Sequence, residues 1–232
     1  LASRPSIWSD NGKSVSEKET YTGFSRTIRR PLLPVPGIRT IQDQGVTEIM
    51  RGCPNSCRFC HASFFYRPYR VKSPLMILAE TEDLITTCGY RKISLASLST
   101  GDYPNLDRLV SFLSGRFSGA GVSFSLPSLK VNTLSLSILK GIAEVRKSGL
   151  TFAVESPTPC GQAGVNKTVS QEKILELLKE AKSSGWRLAK FYFMIGLPAG
   201  DGNEEENIVS YLLSLQRQSG MQFNVNISTF IP

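Results

Sequence analysis

The chain has few cysteines, one histidine and no long apolar segment, and each shortage argues against a class of protein. Its 232 residues contain five cysteines, an odd number without the spread of a secreted disulfide framework, which favours a reducing compartment. No apolar run approaches the roughly 20 residues of a membrane helix, and no charged-then-apolar leader opens the chain. Neither GxGxxG nor GxxxxGKS/T follows any strand-like run, so no dinucleotide site or P-loop is signalled. We therefore expect a cytoplasmic globular protein with no membrane partner.

Positive charge is concentrated in the first third of the chain. Residues 1–72 contain 12 Lys and Arg against 5 Asp and Glu, whereas residues 73–232 contain 15 against 14, for a formal net charge of +8. A positive surface attracts an anionic partner such as RNA or a phosphorylated substrate. Neutralisation by neighbouring domains is the alternative, because the sequence contains no recognisable nucleic-acid motif.

The chain divides near residue 45. Residues 1–45 lack periodic apolar pattern, and RRPLLPVPGIR places three prolines within positions 31–36, which predicts an extended linker or the end of an upstream domain. Residues 46–232 are predicted to form one domain. Because the chain begins at Leu1 and stops at Pro232 directly after a strand-like run, we expect it to be a piece of a longer protein.

From residue 46 onward, strand-like runs alternate with helical patterns. Such alternation predicts right-handed βαβ units and a parallel sheet. Six units in this length fall short of the roughly 250 residues of an eight-unit barrel, so we predict an α/β fold of the partial (β/α)6 TIM-like barrel type. The predicted strands are VTEIM (46–50), KISLASLS (92–99), GVSFSL (121–126), LTFAVE (150–155), LAKFYFMIGLP (188–198) and QFNVNISTFI (222–231). The predicted helices begin near Pro74, with a buried face of Leu75, Leu78 and Leu84, and cover 106–113, 134–147, 170–185 and a stretch from DGNEEEN to Leu215.

Three of the five cysteines, Cys53, Cys57 and Cys60, lie within RGCPNSCRFC, directly after the first predicted strand. In a parallel α/β barrel such a loop lies at the carboxyl end of the strands, where active sites are built. Three thiolates suit an iron–sulfur cluster with one iron left open. Structural zinc is an alternative, although it takes four ligands and the single histidine, His61, follows Cys60 too closely. A CxxC redox pair or coincidence also stays open.

CPNSCRFC resembles the Cys-x3-Cys-x2-Cys signature of the radical S-adenosylmethionine (SAM) superfamily, including the aromatic Phe59 before the third cysteine. The longer string TEIMRGCPNSCRFCHASFFYRPYR is similar to an uncharacterised radical SAM family related to methylthiotransferases and to cobalamin-binding radical SAM proteins, over about residues 32–232. The resemblance implies a [4Fe–4S] cluster on Cys53, Cys57 and Cys60. It also implies reductive cleavage of SAM to a 5′-deoxyadenosyl radical, an electron donor such as flavodoxin or ferredoxin, and a cobalamin-binding domain upstream.

The resemblance also implies SAM contacts at the ends of the strands. Ser99-Thr100-Gly101-Asp102 takes the place of the turn that holds the methionyl amine in relatives, with Gly101 and Asp102 as contacts; a plain turn with an N-capping Asp is the alternative. Glu155, within VES, matches an acidic residue of the relatives, and the Asn166-Lys167 pair eleven residues later matches their sequences as well. KFYFMIGLPAGD suggests that Ile195 and Gly196 flank the adenine, with Leu197. We place Phe59 among these SAM contacts.

One segment departs from the relatives. SPTPCGQAG (156–164) replaces a segment that is helical in them and carries arginines, and its two prolines and two glycines predict a broken helix. Ser125 and Lys130 are then the alternative donors for the SAM carboxylate. Tyr66, Arg67 and Arg70 match the pattern YRP-x-R, where they bind an anionic substrate or cover the loop. Cys160 is interpreted as a free thiol.

These observations predict a radical SAM enzyme core that modifies an unknown substrate, with RNA or a ribosomal protein suggested by the relatives and the basic first third. The alternative is a non-catalytic zinc or iron–sulfur module with a basic surface that faces nucleic acid. The strand-end patterns STGD and MIGLP favour the enzyme, because a scaffold has no need for a SAM cleft.

Overall fold

The computed structural model of the chain describes residues 19–25, 35–38, 40–41, 43–127, 129–133, 150–198, 200 and 202–231. Within them, strands and helices alternate as predicted from residue 45 onward. The helix predicted over residues 134–147 lies outside the described residues.

Six parallel strands form two three-stranded sheets in the described part of the chain. The strands are β1 Gly45–Glu48, β2 Met50–Arg51, β3 Arg70–Val71, β4 Lys92–Ala96, β5 Ser123–Ser125, β6 Leu150–Glu155, β7 Leu188–Ile195 and β8 Gln222–Thr229. In the first sheet β4 lies between β1 and β5, and in the second β7 lies between β6 and β8. The other two strands, β2 and β3, form a short antiparallel pair. The six predicted strands and their parallel arrangement are confirmed.

The helices begin and end at residues whose side chains favour helix termini. The helices are α1 His61–Phe65, α2 Pro74–Thr86, α3 Leu106–Arg116, α4 Pro159–Gly164, α5 Gln171–Ser183 and α6 Glu204–Ser219. Ser73 caps α2 by accepting a hydrogen bond from the amide of Met76, and Ser170 caps α5 by accepting one from the amide of Lys173. Gly220 follows α6 in the left-handed conformation, which glycine adopts without steric cost. No helix in the ranges described above is both long and apolar enough to cross a bilayer.

The hydrophobic core lies between the helices and one face of the sheets. On β6 and β7 the side chains of Phe152, Phe191 and Phe193 are essentially inaccessible, and neighbouring rings lie 5.2–6.3 Å apart. Burial of one such side chain contributes roughly 1.5–3 kcal/mol. Phe193 also meets Tyr211 of α6 edge to face. This apolar face holds the strands in place, so that their carboxyl ends meet at one edge.

The buried face of α2 differs from the prediction at its first turn. Leu84 is buried and Leu78 is packed against the core, as predicted, but Leu75 is 71% exposed. Met76 and Ile77 are buried instead. Pro74 is the first residue of α2, and the side chain of Leu75 that follows it is turned outward. The apolar stripe of the helix therefore begins one residue later, at Met76.

Candidate functional site

The three clustered cysteines lie in a loop directly after β2, which we call the cysteine loop (residues 52–60). The loop and α1 are closed at their base by the β2–β3 pair, in which Met50 stands opposite Val71. Within the loop the amide of Cys60 donates to the carbonyl of Cys57 at 3.0 Å. All three thiols are free and half-buried. The fold therefore presents them together, close to the carboxyl end of β1.

A residue from the amino-terminal segment stabilises the base of this loop. The Phe24 ring, which is buried, lies between Arg51 and Lys72, with the guanidinium carbon 4.8 Å and the ammonium nitrogen 5.0 Å from its centroid. Each cation is also paired with a carboxylate, Arg51 with Glu48 and Lys72 with Glu80. Arg51 is the last residue of β2 and Lys72 directly follows β3, so Phe24 contacts the chain where it enters the loop and where it leaves the segment formed by the loop, α1 and β3.

The thiols and two ammonium groups share one small region. Burial raises the pKa of the Cys57 thiol, Lys130 and Lys167 oppose the rise, and the neighbouring Cys60 and Cys53 add to it. Cys57 therefore lies within electrostatic range of two other thiols and of two ammonium groups. Within the described residues, no three His, Cys, Asp or Glu side chains are arranged to hold a single metal ion.

The cysteine loop is docked on the segment that follows β6. The amide of Arg58 donates to the carbonyl of Val165 at 2.9 Å, and its guanidinium donates to the carbonyl of Gly164 at 2.6 Å. Asn166 donates its side-chain amide to the carbonyl of Ser56 at 3.0 Å. With a further bond from the Arg58 guanidinium to the carbonyl of Ala163 at 3.4 Å, four hydrogen bonds between residues more than 100 positions apart connect the loop to the end of α4.

The segment predicted to be non-helical contains α4, and that prediction is wrong. Thr158 accepts a hydrogen bond from the amide of Gly161 as the N-cap, and Pro159 is the first helical residue, a position where proline has no amide to lose. Gly161 packs against Ser156 so closely that a Cβ there would overlap the serine hydroxyl. The segment contains no arginine, so its contribution to the site is the row of carbonyls that holds Arg58.

The turn after β4 is joined to the cysteine loop. Thr100–Asp102 forms one 3-10 turn, and the Asp102 carboxylate accepts hydrogen bonds from the Asn55 side-chain amide at 2.5 Å and from the Ser99 hydroxyl at 2.6 Å. Asn55 also lies 3.4 Å from Cys53 Sγ. The N-cap of α3 is Asn105, so the alternative reading of Asp102 as a helix cap is wrong.

Glu155, at the end of β6, is paired with Lys167. Its carboxylate lies 2.7 Å from the ammonium, and the two side chains are only 13% and 12% exposed. The same ammonium lies 5.7 Å from the centroid of the Phe59 ring. Glu155 adopts a positive φ of 68°, an uncommon conformation for a residue with a side chain. Glu155, Lys167 and Phe59 thus form one half-buried cluster beside Cys57.

A cavity of about 220 Å³ opens between these elements. Asn55 and Asp102 form one part of its wall, and Lys130 and Lys167 form another. Ala153 of β6 lines it as well. The remaining wall residues are Leu129, Val131, Asn132, Thr133, Asn166, Thr168 and Val169.

The other predicted SAM contacts lie at strand ends but do not line this cavity. Ser125 is the last residue of β5 and pairs with Ser94. Ile195 ends β7 and is packed against the core. Gly196 follows with φ +76°, and its amide donates to the Glu204 carboxylate at 2.5 Å. Gly101 lies behind the cavity wall, against Thr133.

The residues of the YRP-x-R pattern lie around the cysteine loop. Arg67 donates to the Ser56 hydroxyl at 3.2 Å, and Arg70 donates to the carbonyl of Tyr21 at 3.1 Å. Both arginines therefore hold neighbouring segments in place. The remaining candidates from the sequence are exposed: His61, Tyr66 and Cys160.

Two residues that join the site had no assigned role from the sequence. Asn55 lies between Cys53 and Cys57 in the sequence, and its side-chain amide connects Cys53 to Asp102. Lys167 was noted beside Asn166, but nothing in the sequence pairs it with Glu155, 12 residues earlier. A position between two clustered cysteines is the only available signal for Asn55.

Comparison with known proteins identifies related sequences. The model of the radical SAM superfamily matches residues 47–212. An uncharacterised protein of Methanocaldococcus jannaschii is 28% identical over 187 residues, which cover 80% of this chain and 40% of that protein. An uncharacterised methyltransferase of Pyrococcus horikoshii is 27% identical over 173 residues, 74% of this chain and 37% of the relative. The chain therefore spans about two fifths of the length of these relatives.

Solved structures show the same fold. The radical SAM methyltransferase TsrM from Kitasatospora setae, solved with cobalamin and a [4Fe–4S] cluster, superposes with a TM-score of 0.64 at 12% identity, over 80% of this chain and 36% of that one. Coproporphyrinogen III oxidase from Escherichia coli, a radical SAM enzyme, gives a TM-score of 0.53 at 15% identity, over 81% and 44%. These similarities confirm the predicted TIM-like α/β barrel.

Proposed function

The chain belongs to the radical SAM superfamily, and we propose that this enzyme core holds a [4Fe–4S] cluster on Cys53, Cys57 and Cys60 and cleaves SAM reductively. When bound, the cluster supplies one electron, received from an external donor such as flavodoxin or ferredoxin, and SAM divides into methionine and a 5′-deoxyadenosyl radical.

The donor set fits such a cluster. Three half-buried thiols come from one loop, and a cluster with three thiolate ligands keeps one iron open for another ligand. Lys130 and Lys167 lie near Cys57 and provide positive charge beside the anionic thiolates. Asn55 donates a hydrogen bond towards Cys53 Sγ, and such hydrogen bonds tune a cluster's reduction potential.

The cavity offers opposite charges to the amino-acid end of SAM. Asp102 and Asn55 provide acceptors on one part of the wall, whereas Lys130 and Lys167 provide donors on another. Lys167 is already paired with Glu155, so we assign the α-carboxylate to Lys130 and the α-ammonium to Asp102. About 220 Å³ is less than the roughly 300–1,000 Å³ of sites for drug-sized ligands. We therefore place only the methionyl end here, and the adenosine towards Ile195, Gly196 and Leu197.

The observation that carries the proposal is that Asn55 joins Cys53 to Asp102. A cysteine loop that served only as a structural metal module has no need for a hydrogen bond to a carboxylate in the wall of a cavity. The wall also contains the two lysines that act on Cys57. The alternative of a non-catalytic module accounts for the cysteines but not for this shared wall.

We expect the anaerobically reconstituted protein, reduced with dithionite, to give a [4Fe–4S] electron paramagnetic resonance signal that changes when SAM is added. The change follows from SAM binding at the open iron. Under the same conditions 5′-deoxyadenosine accumulates, which chromatography measures. Zinc in place of iron, or a cluster signal indifferent to SAM, would overturn the proposal and favour the structural module.

We further propose RNA as the substrate class, on the basis of the surface next to the cysteine loop. Residues 49–79 contain five Lys and Arg and no Asp or Glu. Within this segment Phe64 is 72% exposed, Phe65 is 50% exposed and Tyr66 is 44% exposed. Exposed aromatic rings in a positive field are typical of surfaces that stack the bases of single-stranded nucleic acid.

Replacement of Phe64 with alanine is expected to weaken binding of a fluorescein-labelled single-stranded RNA by roughly 1–3 kcal/mol, the value of one stacked base. Fluorescence anisotropy measures the change. Leu75→Ala, at an equally exposed position on α2, is the matched control and leaves binding unchanged. The stacking surface would be contradicted by two results together: wild type and Phe64→Ala bind the RNA equally well, and wild type binds an abasic oligonucleotide as tightly as the RNA. Charge alone would then be responsible for binding.

Two further elements of the proposal concern regions beyond the barrel. We propose that residues 46–232 form the catalytic core and that residues 1–45 connect it to an upstream domain. Cobalamin, which TsrM carries, would bind in that upstream domain. Iron and cobalt contents of the full-length protein test this arrangement.

A further inference from the structure

The inner face of the second sheet is polar where a parallel barrel is usually apolar. Along β7 the buried residues alternate with exposed ones, so Lys190 and Tyr192 point away from the core formed by Phe191. On β8 Asn224 and Asn226 are exposed on this same face. The inner positions of α/β barrels are typically filled by bulky branched side chains in layers. This face is open instead, and its residues contact solvent.

The polar residues lie in cross-strand rows that begin at the proposed SAM cavity. Ala153, which lines the cavity, is in register with Tyr192, and Tyr192 is in register with Asn226. The neighbouring row contains Lys190 and Asn224. Because adjacent strands are about 4.8 Å apart, Tyr192 stands one strand away from the cavity wall and Asn226 two. The face is therefore continuous with the place where the radical would form.

These side chains are also unpaired. Within the part of the chain that the structure describes, the side chains of Lys190, Tyr192, Asn224 and Asn226 form no hydrogen bond or ion pair. Two amides, a phenol and an ammonium on one face thus have their whole hydrogen-bonding capacity available for a ligand. They do not contribute to the packing of the core, so the fold does not explain why these residue types are present.

We propose that this face binds the substrate and that the ligand it takes is a nucleotide. Each asparagine amide has a donor and an acceptor in one plane and pairs with the matching edge of a base. The Tyr192 ring, 38% exposed, provides a surface on which the base stacks. Lys190 lies two residues before Tyr192, about 6.6 Å along the strand, a distance that the 5′-phosphate of a stacked nucleotide reaches. A neutral oligosaccharide, or a blocked peptide without acidic side chains, satisfies the amides but gives the Lys190 ammonium no partner.

This inference names the part of the substrate that the protein recognises. It rests on the proposed function only in treating the bound nucleotide as the substrate of the radical reaction. Binding itself requires neither the cluster nor cleavage of SAM. A chain that fails to cleave SAM but binds nucleotides would disprove the proposed function alone, and a chain that cleaves SAM but ignores nucleotides would disprove this inference alone.

The test is saturation-transfer-difference NMR on the full chain with the four nucleoside 5′-monophosphates and the four parent nucleosides. We expect binding of at least one monophosphate. The Asn224→Ala, Asn226→Ala double variant weakens binding of that nucleotide and of its nucleoside alike, by about five- to 150-fold for two lost hydrogen bonds. Lys190→Gln weakens binding of the monophosphate but leaves the affinity for the nucleoside unchanged. Tyr192→Phe keeps binding, whereas Tyr192→Ala loses most of it.

Lys179→Gln is the matched control for Lys190→Gln, because Lys179 is an exposed lysine on α5 and its loss leaves all affinities unchanged. Circular dichroism confirms that each variant is folded. Absence of saturation transfer from all eight compounds would overturn the proposal. So would a maltotriose or a blocked dipeptide that binds more tightly than every nucleotide and responds to the same variants.

Discussion

Replacement of Cys57 with alanine is expected to abolish reductive cleavage of SAM and to remove the cluster. Cys57 lies between the other two thiols in the loop and is held within range of Cys53, Cys60, Lys130 and Lys167. With two thiolates left, the iron site loses a ligand that no other residue of the loop replaces. Iron falls from about four atoms per chain towards none, and formation of 5′-deoxyadenosine falls to background. Iron analysis, the visible spectrum and chromatography measure these changes.

Two cysteines outside the loop provide the controls. Cys160 is exposed at the start of α4, and Cys88 lies just after α2. Cys160→Ala and Cys88→Ala are each expected to keep full iron content and full cleavage, because neither thiol is among the proposed cluster ligands. A Cys57→Ala variant that retained its iron, or a Cys160→Ala variant that lost it, would mean that the ligand set is different from the one proposed.

The strands and the longer helices could be predicted because their side chains repeat with the period of the local structure. Leu106, Leu109 and Leu113 recur at helical spacing and are buried on α3 as predicted. Phe191 and Phe193 alternate with exposed residues on β7, and a parallel strand with one apolar face follows. The carboxyl ends of such strands meet at one edge, and Asp102 and Glu155, which the family resemblance indicated, both lie there near the cysteines.

The features of the site that were not predicted depend on neighbouring residues or on contacts between segments far apart in the sequence. Pro159 was interpreted as a helix breaker, but it is the first residue of α4, where proline is favourable. That outcome depends on Thr158, one residue earlier, which caps the helix. Asn55 meets Asp102 only because the cysteine loop folds back across the end of β4, and no local pattern encodes such a contact.

The order of the strands explains why one edge of the sheets holds both the site and the proposed substrate face. β6 contributes Glu155 at its end and Ala153 to the cavity wall. The next strand, β7, continues the same row with Tyr192. The proposed SAM cavity and the proposed substrate face therefore lie one strand apart in the same sheet.

Replacement of Gly101 with alanine is expected to lower kcat/KM for SAM cleavage by about 100-fold, the effect of a displacement of roughly 1 Å at a positioned group. A Cβ at Gly101 would overlap the Thr133 hydroxyl and crowd its Cβ. Thr133 ends the turn that begins at Val131, and its amide and hydroxyl both donate to the carbonyl of Lys130. The new methyl group therefore pushes away the wall that carries Lys130 while Asp102 stays on its own turn.

The large effect expected of Gly101→Ala on SAM cleavage follows from the proposed roles of Asp102 and Lys130. One group binds the α-ammonium and the other the α-carboxylate, so a change in their separation affects both contacts at once. Gly115→Ala, in the last turn of α3, is the matched control, since a Cβ at Gly115 meets no neighbouring atom. That variant keeps normal cleavage. Kinetics with SAM, measured together with thermal unfolding, separate a displaced wall from a damaged fold.

A second substitution decides whether Thr133 transmits the effect. Thr133→Gly removes both atoms that the new Cβ would meet. In a double-mutant cycle, Gly101→Ala then costs little in the Thr133→Gly background, although Thr133→Gly alone weakens SAM binding by loss of its hydrogen bond to Lys130. If the two effects were additive, the glycine would be required for its own backbone contact with SAM. A coupling that cancels most of the 100-fold loss means that Gly101 is required because Thr133, and with it Lys130, must stand against this turn.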